Sequence, residues 1–298
     1  MQISALPTVA ATKKGILLML MGIVLFTAMD ALAKGLIARY PTPQVIWARF
    51  AGQALLVAIL LGPRKILPTL NSNHPRWHLL RSACQLGATG LFFASLGYIG
   101  LAEATALTDI NPILITLGAA LFLGERLGPR RIFGVVMAMV GALIVIRPGL
   151  GVFSPAALLP LGCAVCYAGA SLLTRKLGQH EGPWTSLLHA ALFGAVVTGL
   201  AMPFVWQPVT GSDVVLFAAL GVLGTGAQLC VIKSFSMAEA SAVAPFAYIG
   251  IVFAAVWGIV LYDEYPDKYT VLGALVIVAA GLYVWHRETN ARRPHSDV

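Results

Sequence analysis

The chain has 298 residues, of which 58% are hydrophobic and only 11% charged, and its net charge is +8. A soluble globular protein averages about 25% charged residues, so a chain this apolar has too little polar surface to face water and needs lipid around long apolar spans. The positive balance does not point to nucleic acid: Lys and Arg stand in short clusters between apolar runs, with no basic stripe interleaved with aromatics.

Spanning takes roughly 20 apolar residues per helix. The sequence predicts ten spans, over 15–37, 44–62, 77–98, 104–123, 130–147, 154–174, 183–205, 213–235, 239–262 and 268–286. The first run follows Lys13-Lys14, is too long for a signal-peptide core and has no small-residue cleavage site behind it, so it reads as a retained span. Connections carry turn chemistry, as at Tyr40-Pro41-Thr42-Pro43, Gly128-Pro129 and Gly182-Pro183, and no soluble domain fits between them. With the N-terminus inside, inside ends collect Lys13, Lys14, Arg64, Lys65, Arg76, Arg81 and the later basic clusters. They outnumber the outside set of Lys34, Arg39, Arg49, Arg147 and Lys268, so both termini are expected to be cytoplasmic. All four cysteines lie inside apolar runs. Cys163-Ala-Val-Cys166 has neither a polar loop nor a second pair, so it reads as small helix residues, and no metal or cofactor is expected.

A repeat organises the chain. The stretch Glu103–Arg147 has a degenerate copy in Glu239–Arg287. Glu103-Ala-Thr-Ala matches Glu239-Ala-Ser-Ala, and Gly124-Glu125 matches Asp263-Glu264. Gly134 and Gly273 each fall nine residues after their glutamate, and a three-residue gap aligns the rest. Five spans per unit is an odd number, so the units are expected to lie upside down relative to each other. The turn charges agree: Glu125-Arg126…Arg130-Arg131 is basic and Asp263-Glu264…Asp267-Lys268 is acidic. Inverted repeats with a site between the halves are a hallmark of transporters.

Two five-helix repeats, with Gly124-Glu125-Arg126-Leu127 closing the fourth helix and a glycine-rich fifth, resemble the EamA-type branch of the drug/metabolite transporter superfamily over nearly the whole chain. Val243-Ala244-Pro245-Phe246, Leu261-Tyr262-Asp263-Glu264 and Asp30-Ala-Leu-Ala-Lys34 with Trp47-Ala-Arg49 fit that branch too. The resemblance implies an all-α membrane protein of ten helices around a central cavity, alternating access, and often export of amino acids or related metabolites. The expected organisation is a tail over 1–14, a first repeat over 15–149, a second, inverted repeat over 150–287, and a tail over 288–298.

Charges inside a bilayer are costly and so are functional candidates. Asp30 and Lys34 lie four apart on one helix face, as a self-paired bridge at the outer rim or as a gate or proton carrier. Arg49, with Gln53 one turn on, is expected to partner Asp30 or backbone carbonyls. Asp109, Asn111 and Pro112 open the fourth span, where Pro112 removes a backbone bond, as a structural kink or to line a cavity; Pro245 and Tyr248 hold a similar place in the second copy, which favours the cavity. Tyr167 and Tyr248 lie deep enough to line a cavity, while Tyr98, near a span end, fits either the cavity or an interfacial belt. His189 is a proton relay or a helix-to-helix hydrogen bonder, and Gln85 and Gln228 are polar groups that bridge helices or face the pore. Glu125 and Glu264 read as caps on the helices that follow them. The glycines of the fifth and tenth spans read as packing faces, giving a monomer or a weak homodimer.

These features point to a secondary transporter of the bacterial inner membrane that exports amino acids or related small metabolites, with a larger flat metabolite as the alternative. No Walker motif is present, so ATP is not the driver within this chain. Gly169-Ala-Ser171 with His189 loosely resembles an intramembrane serine protease, but the surrounding small-residue pattern is missing. A structural membrane protein would carry the intramembrane charges without use.

Overall fold

The computed structural model describes residues 9–111, 113–115, 117–118, 129–146, 155–178, 181–237 and 244–291, and among them every regular element is helical. The helices are α1 (Val9–Ile37), α2 (Thr42–Leu61), α3 (Pro63–Leu70), α4 (Pro75–Leu96), α5 (Leu101–Thr108) and α6 (Pro129–Ile146). They continue with α7 (Leu158–Leu177), α8 (Pro183–Gly199), α9 (Met202–Val205), α10 (Asp213–Met237), α11 (Ile249–Tyr262) and α12 (Lys268–Ala291).

Local chemistry sets these boundaries. Pro43, Pro75 and Pro183 sit in the first turns of α2, α4 and α8, where a missing N–H costs nothing. Gly62 ends α2 at φ +73°, a conformation that a side chain would strain. The connection after it folds into α3, which was not expected. Eight residues with Leu67 77% exposed and Arg64 and Lys65 at the surface give too short a periodic pattern to read as a helix.

Lys13–Ile37, Thr42–Leu61, Pro155–Thr174 and Asp213–Ser234 are long and apolar enough to cross a membrane, and Ile132–Ile146, Phe246–Tyr262 and Lys268–Tyr283 are shorter apolar helices. α4 is less apolar because its first two turns carry Arg76, His78 and Arg81. The outward faces are apolar: Leu55, Ile59, Val165, Val196, Val215 and Val260 are each more than 60% exposed. In water this surface would drive aggregation; in lipid it is the ordinary face of a spanning helix.

Two spans are discontinuous. The fourth breaks after α5, with turn backbone at Asp109 and Ile110 before helical backbone resumes at Asn111. Pro112 and Glu125 lie outside the described residues. The ninth opens with a 3₁₀ turn over Ala244–Tyr248 before α11 begins. Both interruptions fall at the place where the repeat aligns, and backbone freed from the helix ladder inside a membrane is tolerated only where protein or a cavity covers it.

Packing follows a pattern of mates. α1 packs on α10 and α4 on α7; α2 packs on α10 and α4 on α8; α1 packs on α11 and α7 on α5. The pairs α2–α8, α5–α11 and α6–α12 complete the set. Exchanging the two units maps each pair onto its mate or onto itself. Small residues permit the closest approaches. A Cβ on Gly141 would stand 2.9 Å from the Gly273 carbonyl oxygen and 2.7 Å from Ile277 Cγ1, and one on Gly273 would stand 2.6 Å from the Gly141 carbonyl oxygen. The central core gathers Met29, Leu36, Phe50, Phe93, Leu101 and Leu220 from five helices.

Gly141→Leu forces apart the backbones of α6 and α12 and is expected to cost about 1–3 kcal/mol or more. Gly182→Ala, where an added Cβ meets nothing within 4 Å, leaves the melting temperature in detergent unchanged. Equal melting temperatures for both variants would show that the α6–α12 seam is not tightly packed.

Candidate functional site

Arg49 is the centre of the polar interior. It projects from α2 and is 3% exposed. Its Nη1 donates to Thr89 Oγ1 of α4 at 2.6 Å and its Nε reaches Met29 Sδ of α1 at 3.3 Å. The guanidinium lies 5.0 Å from the Phe50 ring centroid and 6.0 Å from that of Phe93. Its charged neighbour is Asp30 of α1, and Tyr167 and Cys163 of α7 lie within its field. Tyr167 in turn interacts with Asp109 and Arg81. Tyr167 therefore has one carboxyl, Asp109, and two guanidiniums, Arg49 and Arg81, among its charged neighbours, while Asp30 neighbours Arg49.

Asp109 caps the C-terminal end of α5, where the free carbonyls already concentrate negative charge. Its Oδ2 is buried with no protein partner. This end of the cluster suits a cation, as the Arg49 end suits an anion.

Two ties close the ends of the bundle. At one end, Asp213 accepts from Arg39 Nη1 at 2.6 Å and from the Tyr40 hydroxyl at 2.8 Å. Gln44 is 1% exposed and makes two bonds to the Gln207 backbone: its Nε2 donates to the carbonyl at 2.8 Å, and its Oε1 accepts from the N–H at 3.0 Å. At the other end, Glu181 accepts from Ser72 Oγ at 2.6 Å and pairs with His78 Nε2 at 2.7 Å. His78 is fully buried and stacks on His189, with centroids 4.5 Å apart. Beside it Arg81 donates to Thr174 Oγ1 at 2.6 Å and to the Ser186 carbonyl at 2.8 Å. Burial acts to raise the Glu181 pKa, but bonds from Ser72, His78 and His74 outweigh it and hold the carboxyl at about 2, below its ordinary 4.5. α2 and α8 each run from one tie to the other, about 30 Å and 25 Å at 1.5 Å per residue.

Several expected placements change. Lys34 does not pair with Asp30 along α1. Its Nζ meets Glu264 Oε1 at 2.7 Å and donates to the Ile99 carbonyl at 2.9 Å. Glu264 does not cap the helix that follows it. Its Oε2 accepts from the Leu101 N–H at the start of α5, while Asp267 caps α12 through the Thr270 N–H at 2.8 Å. The cause is local: Asp263 takes a left-handed φ of 55°, and the Glu264 N–H bonds back to the Gly258 carbonyl, which turns the side chain toward the other unit. Arg49 takes a hydroxyl and a thioether in place of backbone carbonyls.

Tyr98 is 75% exposed in the turn after α4, a belt position and not a lining one. Tyr248 is packed among Leu107, Ile110, Val145 and Ile277, with its hydroxyl against Gly281. That ring is enclosed on its faces, although the hydroxyl has Asp109 as an electrostatic neighbour. Asn111 is half-buried just past the break, and Gln228 is buried on α10. His189 belongs to the Glu181 tie, with Nδ1 on the Thr185 carbonyl at 2.8 Å, and makes no hydrogen bond to Ser171. Sequence reasoning did not find Thr89, Glu181 or Asp213, whose partners are separated from them by 40 to 174 residues.

Known proteins share this architecture. A solved crystal structure superposes with a TM-score of 0.65 at 21% identity, covering 97% of this chain and 99% of the other, which speaks to the fold alone. The pseudopaline exporter CntI of Pseudomonas aeruginosa is 33% identical over 90% of this chain and 94% of its own. A riboflavin transporter of Rhizobium johnstonii is 29% identical over 94% and 93%, and an S-adenosylmethionine uptake transporter of Rickettsia bellii is 26% identical over 91% and 92%. The model of the EamA-like transporter family matches twice, over residues 13–147 and 154–285. The chain belongs to the EamA-like transporter family: it is a multi-pass membrane protein that carries small molecules and is not an enzyme.

Proposed function

We propose that this protein is an alternating-access exporter of amino acids or closely related zwitterions across the bacterial inner membrane. The carrying observation is the polar set around the half-buried Tyr167. Arg49 offers a site for a carboxylate, and Asp109 at the negative end of α5 offers one for an ammonium. A larger flat metabolite is the second reading, favoured by the phenol between the two charges and by a relative that carries riboflavin.

Inverted halves are supported by the ties. α1 ends and α2 begins at the Asp213 tie, whereas α7 ends and α8 begins at the Glu181 tie, so corresponding helices run in opposite directions. The exchange of packing mates and the double family match support two equivalent units. Basic residues at the Glu181 end, among them Arg64, Lys65, Arg76 and Lys176, support a cytoplasmic placement for it. Both termini then lie on that side, and the Asp213 tie closes the outer side. Asp30 is the coupling group this reading favours. Lys34, held by Glu264, belongs to the outer gate, and His189 to the inner one.

Three outcomes test the reading. In counterflow with purified protein in liposomes over a broad amino-acid panel, Arg49→Lys keeps a charge but loses the forked donor, and transport falls at least tenfold; wild-type rates in that variant would remove Arg49 from the site. Glu181→Gln and Asp213→Asn act oppositely. By hydrogen exchange, the first exposes 71–78 and 181–189 while protecting 207–214, and the second does the reverse; loosening confined to the mutated end argues against coupled gates. The Glu181 carboxyl has a depressed folded pKa, so its contribution is fully present above the ordinary 4.5 and is lost as pH falls toward about 2. The gap in melting temperature between wild type and Glu181→Gln should therefore close only as pH falls below about 4.5 toward about 2.

A further inference from the structure

Gln53 has no protein partner. It sits on α2 one turn beyond Arg49 and is 1% exposed, yet neither its Nε2 nor its Oε1 is hydrogen-bonded. A buried amide without partners is expensive and rare, and each one calls for a physical explanation.

The register shows what surrounds it. α2 and α4 run antiparallel, and the Arg49–Thr89 bond fixes their alignment. One turn on along α2 is Gln53, and one turn back along α4 is Gln85, 7% exposed. Three residues earlier Ser82 is 2% exposed with its hydroxyl unpartnered. On the third side α8 is aligned twice: Phe50 packs against Gly194, and Val57 against Leu187 and Leu188. Gln53 is therefore level with Ala190 and Ala191, both buried, whose methyl groups offer no hydrogen bond.

We propose that Gln53, with Gln85 and Ser82 opposite, forms a neutral polar subsite one helical turn from Arg49 that takes an amide-type edge of the cargo: a carboxamide, lactam or imide. The proposal rests on the transporter reading and narrows its cargo. A glutamine amide presents a donor and an acceptor in one plane, and an amide edge returns both at once. A carboxylate is held better by the neighbouring guanidinium, and an ammonium is repelled by it. An apolar group leaves the amide unpaired, which is how such sites reject analogues.

The test uses the full-length protein with Gln53→Leu, close in volume but apolar, and Gln53→Met as a second variant with a flexible chain. In detergent without cargo, at least one variant melts at or above wild type, because the empty site loses an unsatisfied amide; a lower melting temperature in both shows the amide paired within the protein and overturns the proposal. In liposome counterflow, glutamine, asparagine and uracil are compared with glutamate and leucine. Selectivity for amide-bearing over amide-free cargo falls about tenfold in the variants, through KM more than kcat. A uniform loss, or no change in selectivity, overturns the subsite. A wild type that moves only amide-free cargo overturns the subsite alone, and a wild type that moves none of the five overturns the amino-acid reading as well.

Discussion

A guanidinium enclosed by apolar helices is the constraint on which the rest depends. A charge at the centre of a bilayer is expensive on every scale, so Arg49 must be surrounded by groups that compensate it. Those groups come from three other elements: Met29 and Asp30 from α1, Thr89 from α4, Tyr167 and Cys163 from α7. Removing the charge frees the helices to pack as an ordinary apolar bundle. Keeping it forces α1, α2, α4 and α7 to converge and leaves polar surface at their junction. The site is a consequence of that convergence.

The two ends of the bundle solve one geometric problem with different chemistry. At the Asp213 tie the donors are a guanidinium, a phenol and a primary amide. At the Glu181 tie the partners are a serine hydroxyl and imidazoles. Its acceptor stays ionised far into acid. The two contacts thus differ in chemistry while each joins a connection of one half to a connection of the other.

Much of the fold was legible in the sequence, because membrane solvent imposes long apolar runs and leaves turns to Gly and Pro. The starts of α2, α8 and α10 and the broken fourth span follow from such local signals. The site was only half legible. Asp30, Arg49, Asp109 and Tyr167 stand out as polar groups in apolar runs, and the structure brings these four together. Their partners do not stand out: Thr89 is one hydroxyl among many, and Glu181 and Asp213 sit in connections where charge is unremarkable. Helix periodicity suggested Lys34 with Asp30, but a single left-handed residue at Asp263 swings Glu264 across the interface and captures the lysine instead. α3 lay hidden because eight residues cannot establish a period.

Mechanism and cargo choice occupy different parts of such a molecule. The ties stand about 30 Å apart at the ends of α2 and α8, and their partners are fixed by the protein itself, so a change of cargo need not disturb them. The middle is different. There Asp109 Oδ2, Ser82 Oγ and both ends of the Gln53 amide lack protein partners. Unsatisfied groups at mid-depth cost stability in the empty state, and that cost is returned only by a ligand whose polar atoms match them. On the reading proposed above, a few substitutions among these positions alter which molecule restores the balance, while the seams of small residues and the end contacts stay as they are. Relatives named for an exporter, a vitamin carrier and an uptake system on one scaffold are what this division of labour produces.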